Sequence, residues 1–169
     1  MRIFLCGMMG AGKSTIGKKL SFKFQLPFID LDRYIELNEN KSISRLFEEY
    51  GEDYFRRLEK KYLEQVINNN ESCVVSLGGG TPCFYNNMQL INSSGRSVFI
   101  NLDINKLTNR LWYAKTKRPL TKNIQSPDAL RTFIEQKLNE RLQYYTQCHY
   151  TIDGTDESLL SLVKTLEQK

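Results

Sequence analysis

The chain has 169 residues, 40% hydrophobic and 25% charged, which describes one globular domain around a single core and excludes a disordered chain. No apolar run approaches the ~20 residues of a membrane-spanning helix, so no membrane role is expected. The formal net charge of +5 suits phosphates and an anionic substrate; aromatic-basic interleaving and zinc-ligand spacing are both missing, so no nucleic-acid partner is expected. The first residues lead straight into a strand, so no signal peptide is expected. Cys6, Cys73, Cys83 and Cys148 show no Cys-x-x-Cys spacing. They are expected as reduced cytoplasmic thiols rather than a metal site.

Arg2 to Cys6 is an apolar run, predicted as a buried strand. It leads into Gly7-Met-Met-Gly-Ala-Gly-Lys-Ser14, which fits the phosphate-binding pattern G-x-x-x-x-G-K-[ST] in full. The spelling has a chemical reason. Several backbone N–H groups must converge on one anion, and residues without a Cβ let the backbone come close enough. Lys13 supplies positive charge to the outer phosphates, and the Ser14 hydroxyl can hold a magnesium ion. The helix predicted from Ser14 onward places its positive end beneath the same anion. Nucleotide binding is the expectation.

Leu26 to Asp30 is predicted as a short strand that Pro27 opens. It runs into Asp30-Leu-Asp32, where strand alternation puts both carboxylates on one side, at the strand end where α/β sheets open. Two readings of Asp32 stand: a cap on a helix over Arg33 to Asn38, or a group serving magnesium or a substrate hydroxyl. A short helix follows from an N-cap at Ser42 to a stop at Gly51, then a longer one from Glu52 to Asn68. On the latter, Phe55, Leu58, Tyr62 and Val66 share an apolar face that includes Glu59. Arg56 flanks that face, and Arg57 points away. Arg56 and Glu59 are therefore either a positioned pair or an ordinary surface pair at i,i+3 spacing.

Cys73 to Leu77 is predicted as a buried strand ending in Gly78-Gly-Gly80, more glycine than a simple turn requires. Ser76 stands where many P-loop proteins carry a magnesium-linked aspartate, which leaves Asp30 as the candidate. A helix over Tyr85 to Asn92, a strand over Ser97 to Leu102 and a helix capped by Asp103 and reaching Tyr113 come next. Ala114 to Lys122 is a loop, because Pro119 biases Arg118 away from helix. Its Lys115, Lys117, Arg118 and Lys122 make it either a solvated charge run or a lid that closes over phosphates. A helix over Asp128 to Tyr145, a strand over Tyr150 to Ile152 and a helix over Ser158 to Glu167 complete the chain. Alternating strands and helices imply a parallel α/β sheet covered on both faces.

Taken together, Gly-Met-Met-Gly-Ala-Gly-Lys-Ser-Thr15, Asp30-Leu-Asp32, Phe55-Arg-Arg-Leu-Glu59, Leu77-Gly-Gly-Gly80, Lys117-Arg-Pro-Leu120 and Arg141 ahead of Tyr144-Tyr145 resemble the shikimate kinase family from the first strand to the last helix. The resemblance implies a P-loop fold of the nucleoside-monophosphate-kinase type, with a five-stranded parallel sheet in the order 2-3-1-4-5 and a mobile lid loop. Residues 1–169 form one kinase domain, with a substrate-binding region over 32–62 and the lid over 113–125. The implied reaction moves the ATP γ-phosphate to the 3-hydroxyl of shikimate, a step toward chorismate and the aromatic amino acids, with Mg²⁺ as cofactor and a cytoplasmic monomer as the enzyme.

The resemblance also implies site roles. Gly10, Ala11, Gly12, Lys13, Ser14 and Thr15 hold the ATP phosphates. Ser14 binds the metal, and Asp30 supports it through water. Asp32 meets the shikimate hydroxyls. Arg56 and Arg141 grip its carboxylate beside Gly78, Gly79 and Gly80, with Glu59 orienting Arg56. Arg118 reaches the phosphates, and Arg110 lies against adenine. The family often has an arginine near the last strand, but Ile152-Asp-Gly-Thr-Asp156 has none. Lys13, Asp32 and Arg118 are the expected catalytic set, since phosphoryl transfer needs positioning and charge neutralisation more than covalent catalysis. The rival readings are a gluconate or nucleoside-monophosphate kinase, a nucleotide-binding module, and an inactive relative. A GTPase-like switch would want Asn-Lys-x-Asp, and neither Asn40-Lys-Ser-Ile43 nor Asn105-Lys-Leu-Thr108 supplies its aspartate.

Overall fold

The computed structural model describes residues 1–114, 121 and 124–168. Five strands, β1 (Arg2–Cys6), β2 (Phe28–Asp30), β3 (Cys73–Ser76), β4 (Arg96–Ile100) and β5 (Tyr150–Ile152), form one sheet in the order β2-β3-β1-β4-β5. Every pairing is parallel. The order matches the expectation, and burial explains the composition of the strands. Ile3, Phe4, Leu5, Cys73, Val74, Val75 and Val98 are fully buried, as strands covered on both faces must be.

The helices are α1 (Lys13–Phe24), α2 (Leu31–Glu39), α3 (Ile43–Asn69), α4 (Asn87–Ser94), α5 (Ile104–Trp112), α6 (Pro127–Tyr145) and α7 (Asp156–Glu167). Ser42, Asp103, Ser126 and Thr155 cap α3, α5, α6 and α7 with side-chain oxygens, which satisfies otherwise orphaned N–H groups. The predicted stop at Gly51 survives as a break inside α3, where Gly51 leaves helical geometry at φ 79° and ψ 173°.

Most element ends shift by one or two residues from expectation, and two of the differences change a local reading. Helix α2 starts at Leu31, so strand alternation ends at Asp30. Asp30, not Asp32, is the cap, accepting from the Arg33 amide at 3.3 Å. Asp32 sits in the first turn, where a negative charge meets the positive end of the helix. The predicted helix over Tyr85 to Asn92 starts later. A 3-10 turn occupies Thr81–Cys83, and Tyr85 and Asn86 take left-handed φ values of 50° and 59° before α4 begins.

Candidate active site

Strand β1 delivers its last residue directly to the P-loop. Gly10 and Gly12 have φ of 80° and 95°, a left-handed backbone that side chains disfavour. Gly7 is required for space as well, because a Cβ there would lie 2.7 Å from the Ile100 carbonyl oxygen. Lys13 opens α1, and its ammonium donates to the Gly7 and Met8 carbonyls at 2.9 Å each. The charge is thus held over the loop by weak, exchangeable partners. Ser14 Oγ donates to Asp30 Oδ2 at 2.7 Å and lies 3.3 Å from Ser76 Oγ. Arg110 comes across from α5 and donates to the Gly10 carbonyl at 3.3 Å.

These groups line one cavity of about 690 Å³, whose wall includes Gly10 to Thr15, Asp30, Asp32, Gly79 and Arg110. Asp30 and Asp32 thus share the cavity, through a cap and the following helical turn rather than through strand alternation. Gly154, from the loop after β5, and Asp156, the first residue of α7, line it as well.

Arg56, Glu59, Arg141, Gly78 and Gly80 do not line that cavity. They form an adjoining cluster around the glycine loop after β3. Arg56 is 4% exposed and Glu59 1%, so the surface-pair reading fails. Arg56 Nη1 donates to Glu59 Oε2 at 2.5 Å. Arg57, one residue on, is exposed and paired with exposed Asp53, as its place on the helical wheel requires. Helix α6 brings Arg141, also buried, with Nη1 3.8 Å from the Met8 sulfur. Arg141 has no ion-pair partner among the described residues.

The three glycines have a reason that their spacing did not reveal: the protein's own side chains fill the space where Cβ atoms would go. A Cβ on Gly78 would lie 2.6 Å from Glu59 Oε1 and 2.8 Å from Asp32 Oδ1; one on Gly79 would lie 3.1 Å from Arg141 Nη1. On Gly80 it would lie 2.7 Å from the Arg56 guanidinium carbon. The loop therefore lets two arginines and two carboxylates approach one another and the cavity wall.

Sequence reasoning missed several members of this cluster. Thr81 Oγ1 donates to Glu59 Oε1 at 2.5 Å, and Asn87 Nδ2 holds the Thr81 carbonyl at 2.9 Å. The Phe84 ring stands 4.6 Å from the Arg56 guanidinium, a cation–π contact. The Tyr145 hydroxyl donates to the Gly79 carbonyl at 2.5 Å. Thr81 and Phe84 follow the glycine run with no spacing signal of their own, and Tyr145 stood in the sequence only as part of the motif around Arg141, with no contact assigned to it.

The charges interact strongly. Burial pushes the Glu59 carboxyl above the usual carboxylate range, while the Arg56 charge and the Thr81 hydrogen bond pull it back. Burial pulls Arg56 down, but the bonds and charges of Glu59 and Glu52 outweigh that, so it stays firmly protonated. Such a pair is costly to bury unless its geometry and its further hydrogen bonds compensate. His149 meets Ser97 through Nδ1 at 2.9 Å and takes no part in either cluster. Arg118 and most of the basic loop lie outside the described residues.

A phosphate-cradling loop at the ends of parallel strands in this order, facing acidic and arginine groups across the sheet opening, defines the P-loop fold of the nucleoside-monophosphate-kinase type. Deoxyadenosine kinase from M. mycoides shares that fold at a TM-score of 0.62 and 15% identity. The family follows from closer matches. The family model described as shikimate kinase matches residues 9–168, and the chain belongs to that family. It is 45% identical to a shikimate kinase of Bacteroides thetaiotaomicron over 92% of this chain and 88% of that one. The crystal structure of shikimate kinase from the same species superposes at a TM-score of 0.89, with 42% identity, over 99% and 97% of the two chains. Shikimate kinase from Acinetobacter baumannii, solved in complex with shikimate, superposes at 0.84 with 28% identity over 99% of this chain and 90% of that one.

Proposed function

We propose that this protein transfers the ATP γ-phosphate to the 3-hydroxyl of shikimate, producing shikimate 3-phosphate for chorismate and aromatic amino-acid synthesis. One observation carries the reading beyond family membership. Two buried arginines, Arg56 and Arg141, converge with Asp32 on the glycine loop that borders the P-loop cavity. Paired guanidiniums suit a carboxylate, and Asp32 suits the neighbouring hydroxyls. The acceptor is thereby oriented with a hydroxyl toward the phosphates.

In this reading Lys13 exchanges its two carbonyl partners for phosphate oxygens and neutralises charge as it shifts toward the leaving group. Glu59 fixes the Arg56 guanidinium. Asp32 orients the acceptor hydroxyl or takes its proton. Arg110 lies over the nucleotide, and Arg118 reaches the phosphates from the basic loop over 113–125. The substrate-binding region over 32–62 belongs to the same domain.

The hard oxygens of Ser14 and Asp30, with Ser76 adjacent, fit a magnesium ion held partly by phosphate and water. Ser14 would bind it directly and Asp30 through water. Held by these residues, magnesium would supply positive charge to the transferring phosphates. No described helix is long and apolar enough to cross a membrane. We propose a cytoplasmic monomer whose partners are shikimate and ATP, with no nucleic-acid or membrane partner.

The test is ADP release by purified protein with Mg-ATP across a panel of acceptors. Shikimate should drive it and EDTA should stop it. Release that ignores shikimate but rises with gluconate or a nucleoside monophosphate sinks the reading.

A further inference from the structure

The Arg56 guanidinium already carries a second carboxylate. Glu52, one helical turn before it, accepts from Nη2 at 2.8 Å and from Nε at 3.1 Å through the same oxygen. These two nitrogens form the edge on which guanidiniums grip carboxylates in a fork. The remaining Nη1 is committed to Glu59, which is 1% exposed and further fixed by Thr81. The Phe84 ring lies 4.6 Å from the guanidinium, and Gly80 is packed close against it.

Arg56 is itself only 4% exposed, so an incoming carboxylate reaches it only if one of these groups leaves. Glu52 is 54% exposed. It is the group that can swing into water at small cost, whereas freeing Glu59 would strand a buried charge.

We infer that Glu52 is an internal competitor for Arg56: it occupies the Nε/Nη2 edge in the ligand-free protein, and the substrate carboxylate displaces it on binding. This rests on the reading of Arg56 as the carboxylate-gripping residue. Glu52 thereby sets the affinity for the acceptor without touching the reacting atoms. It keeps the Nε/Nη2 edge of a buried arginine paired when the site is empty, and it screens out ligands that lack an anionic group able to replace it. A neutral ligand would leave Glu52 in place and find the edge closed.

The test uses Glu52→Gln in the full chain, which keeps the side-chain shape and removes the charge. Shikimate should bind more tightly by calorimetry, about 3- to 10-fold, between the strength of an exposed ion pair and that of a charged hydrogen bond. The shikimate KM should fall in step, while kcat and the ATP KM stay put. An analogue with a hydroxymethyl group in place of the carboxylate should gain nothing. Unchanged or weaker shikimate binding in the variant overturns the inference alone, as does an equal gain for both ligands, which would mean a generally loosened site. A wild-type protein that fails to bind shikimate overturns the proposed function and this inference with it.

Discussion

The two ends of the site are built differently. At the P-loop end, one contiguous stretch offers its backbone, and its glycines matter because of dihedral angle: φ is 80° at Gly10 and 95° at Gly12. At the arginine end, α2, α3, α6 and the loop after β3 each contribute side chains, and the glycines matter because of volume. None of Gly78, Gly79 and Gly80 has a positive φ, yet a Cβ on any of them would crowd a charged side chain. A backbone cradle recognises an anion common to many substrates. A cluster of buried side chains, each fixed by another, recognises one shape of acceptor. Damage at the first end should therefore be read in the nucleotide and the chemical step, and damage at the second in the acceptor.

The largest effect should come from Lys13→Met. Losing the one P-loop charge should lower kcat about 10²- to 10³-fold, the scale of a single group that stabilises transition-state charge. The shikimate KM should stay nearly constant. A steady-state profile in which kcat holds and only the shikimate KM rises would erase the distinction between the two ends.

Arg56→Ala tests the opposite end. Its shikimate KM should rise roughly 10- to 150-fold, the worth of a charge-assisted fork, with ATP binding left as it was. Arg57→Ala, which loses only an exposed pair with Asp53, should stay within about 2-fold. Kinetics showing the two neighbours equally important would contradict the burial difference between them.

Exchanging glycines sharpens the contrast between angle and volume. Gly12→Ala forces a Cβ onto a left-handed backbone and should weaken ATP roughly 5- to 30-fold, from a strain of about 1–2 kcal/mol. Gly80→Ala meets no angular strain but displaces the Arg56 guanidinium, and should weaken shikimate about 10-fold while sparing ATP. Binding measured separately for each ligand decides. Loss of ATP binding in Gly80→Ala would mean that the two ends are one mechanical unit.

The smallest effect is a shift in pH dependence. The Thr81 hydroxyl stabilises the ionised form of Glu59 against the upward push of burial. Thr81→Val removes that bond, so the Glu59 pKa should rise further. Glu59 then gains its proton at a higher pH and stops orienting Arg56. The acid limb of kcat/KM for shikimate should therefore move to higher pH in the variant, with a stability loss of about 1–3 kcal/mol from the unsatisfied carboxylate oxygen. An acid limb that does not move would separate Thr81 from Glu59's ionisation.

The sequence by itself determined what depends on local geometry. The P-loop is legible because backbone N–H groups cradling a phosphate need glycines at set spacings followed at once by a helix. Alternation of strands and helices gave the parallel sheet, whereas its strand order came only from the family resemblance; a helical wheel separated Arg56 from Arg57 because 100° per residue leaves neighbours on different faces. Local rules stopped where two of them met. Asp30 ends a strand and caps a helix at once, and alternation carried two residues past the strand put Asp32 in the same cavity as Asp30 by a wrong route.

Only the tertiary structure decided that Arg56 and Glu59 are a buried pair, because an i,i+3 spacing is the same on a wet face and a dry one. It alone brought Thr81 to Glu59, Phe84 to Arg56 and Tyr145 to the Gly79 carbonyl, and showed Glu52 holding the open edge of Arg56. Thr81 and Glu59 stand 22 positions apart, and Tyr145 and Gly79 stand 66 apart. The strength of a charge pair depends on how much water surrounds it, and water is excluded there by elements that meet only when the chain has folded.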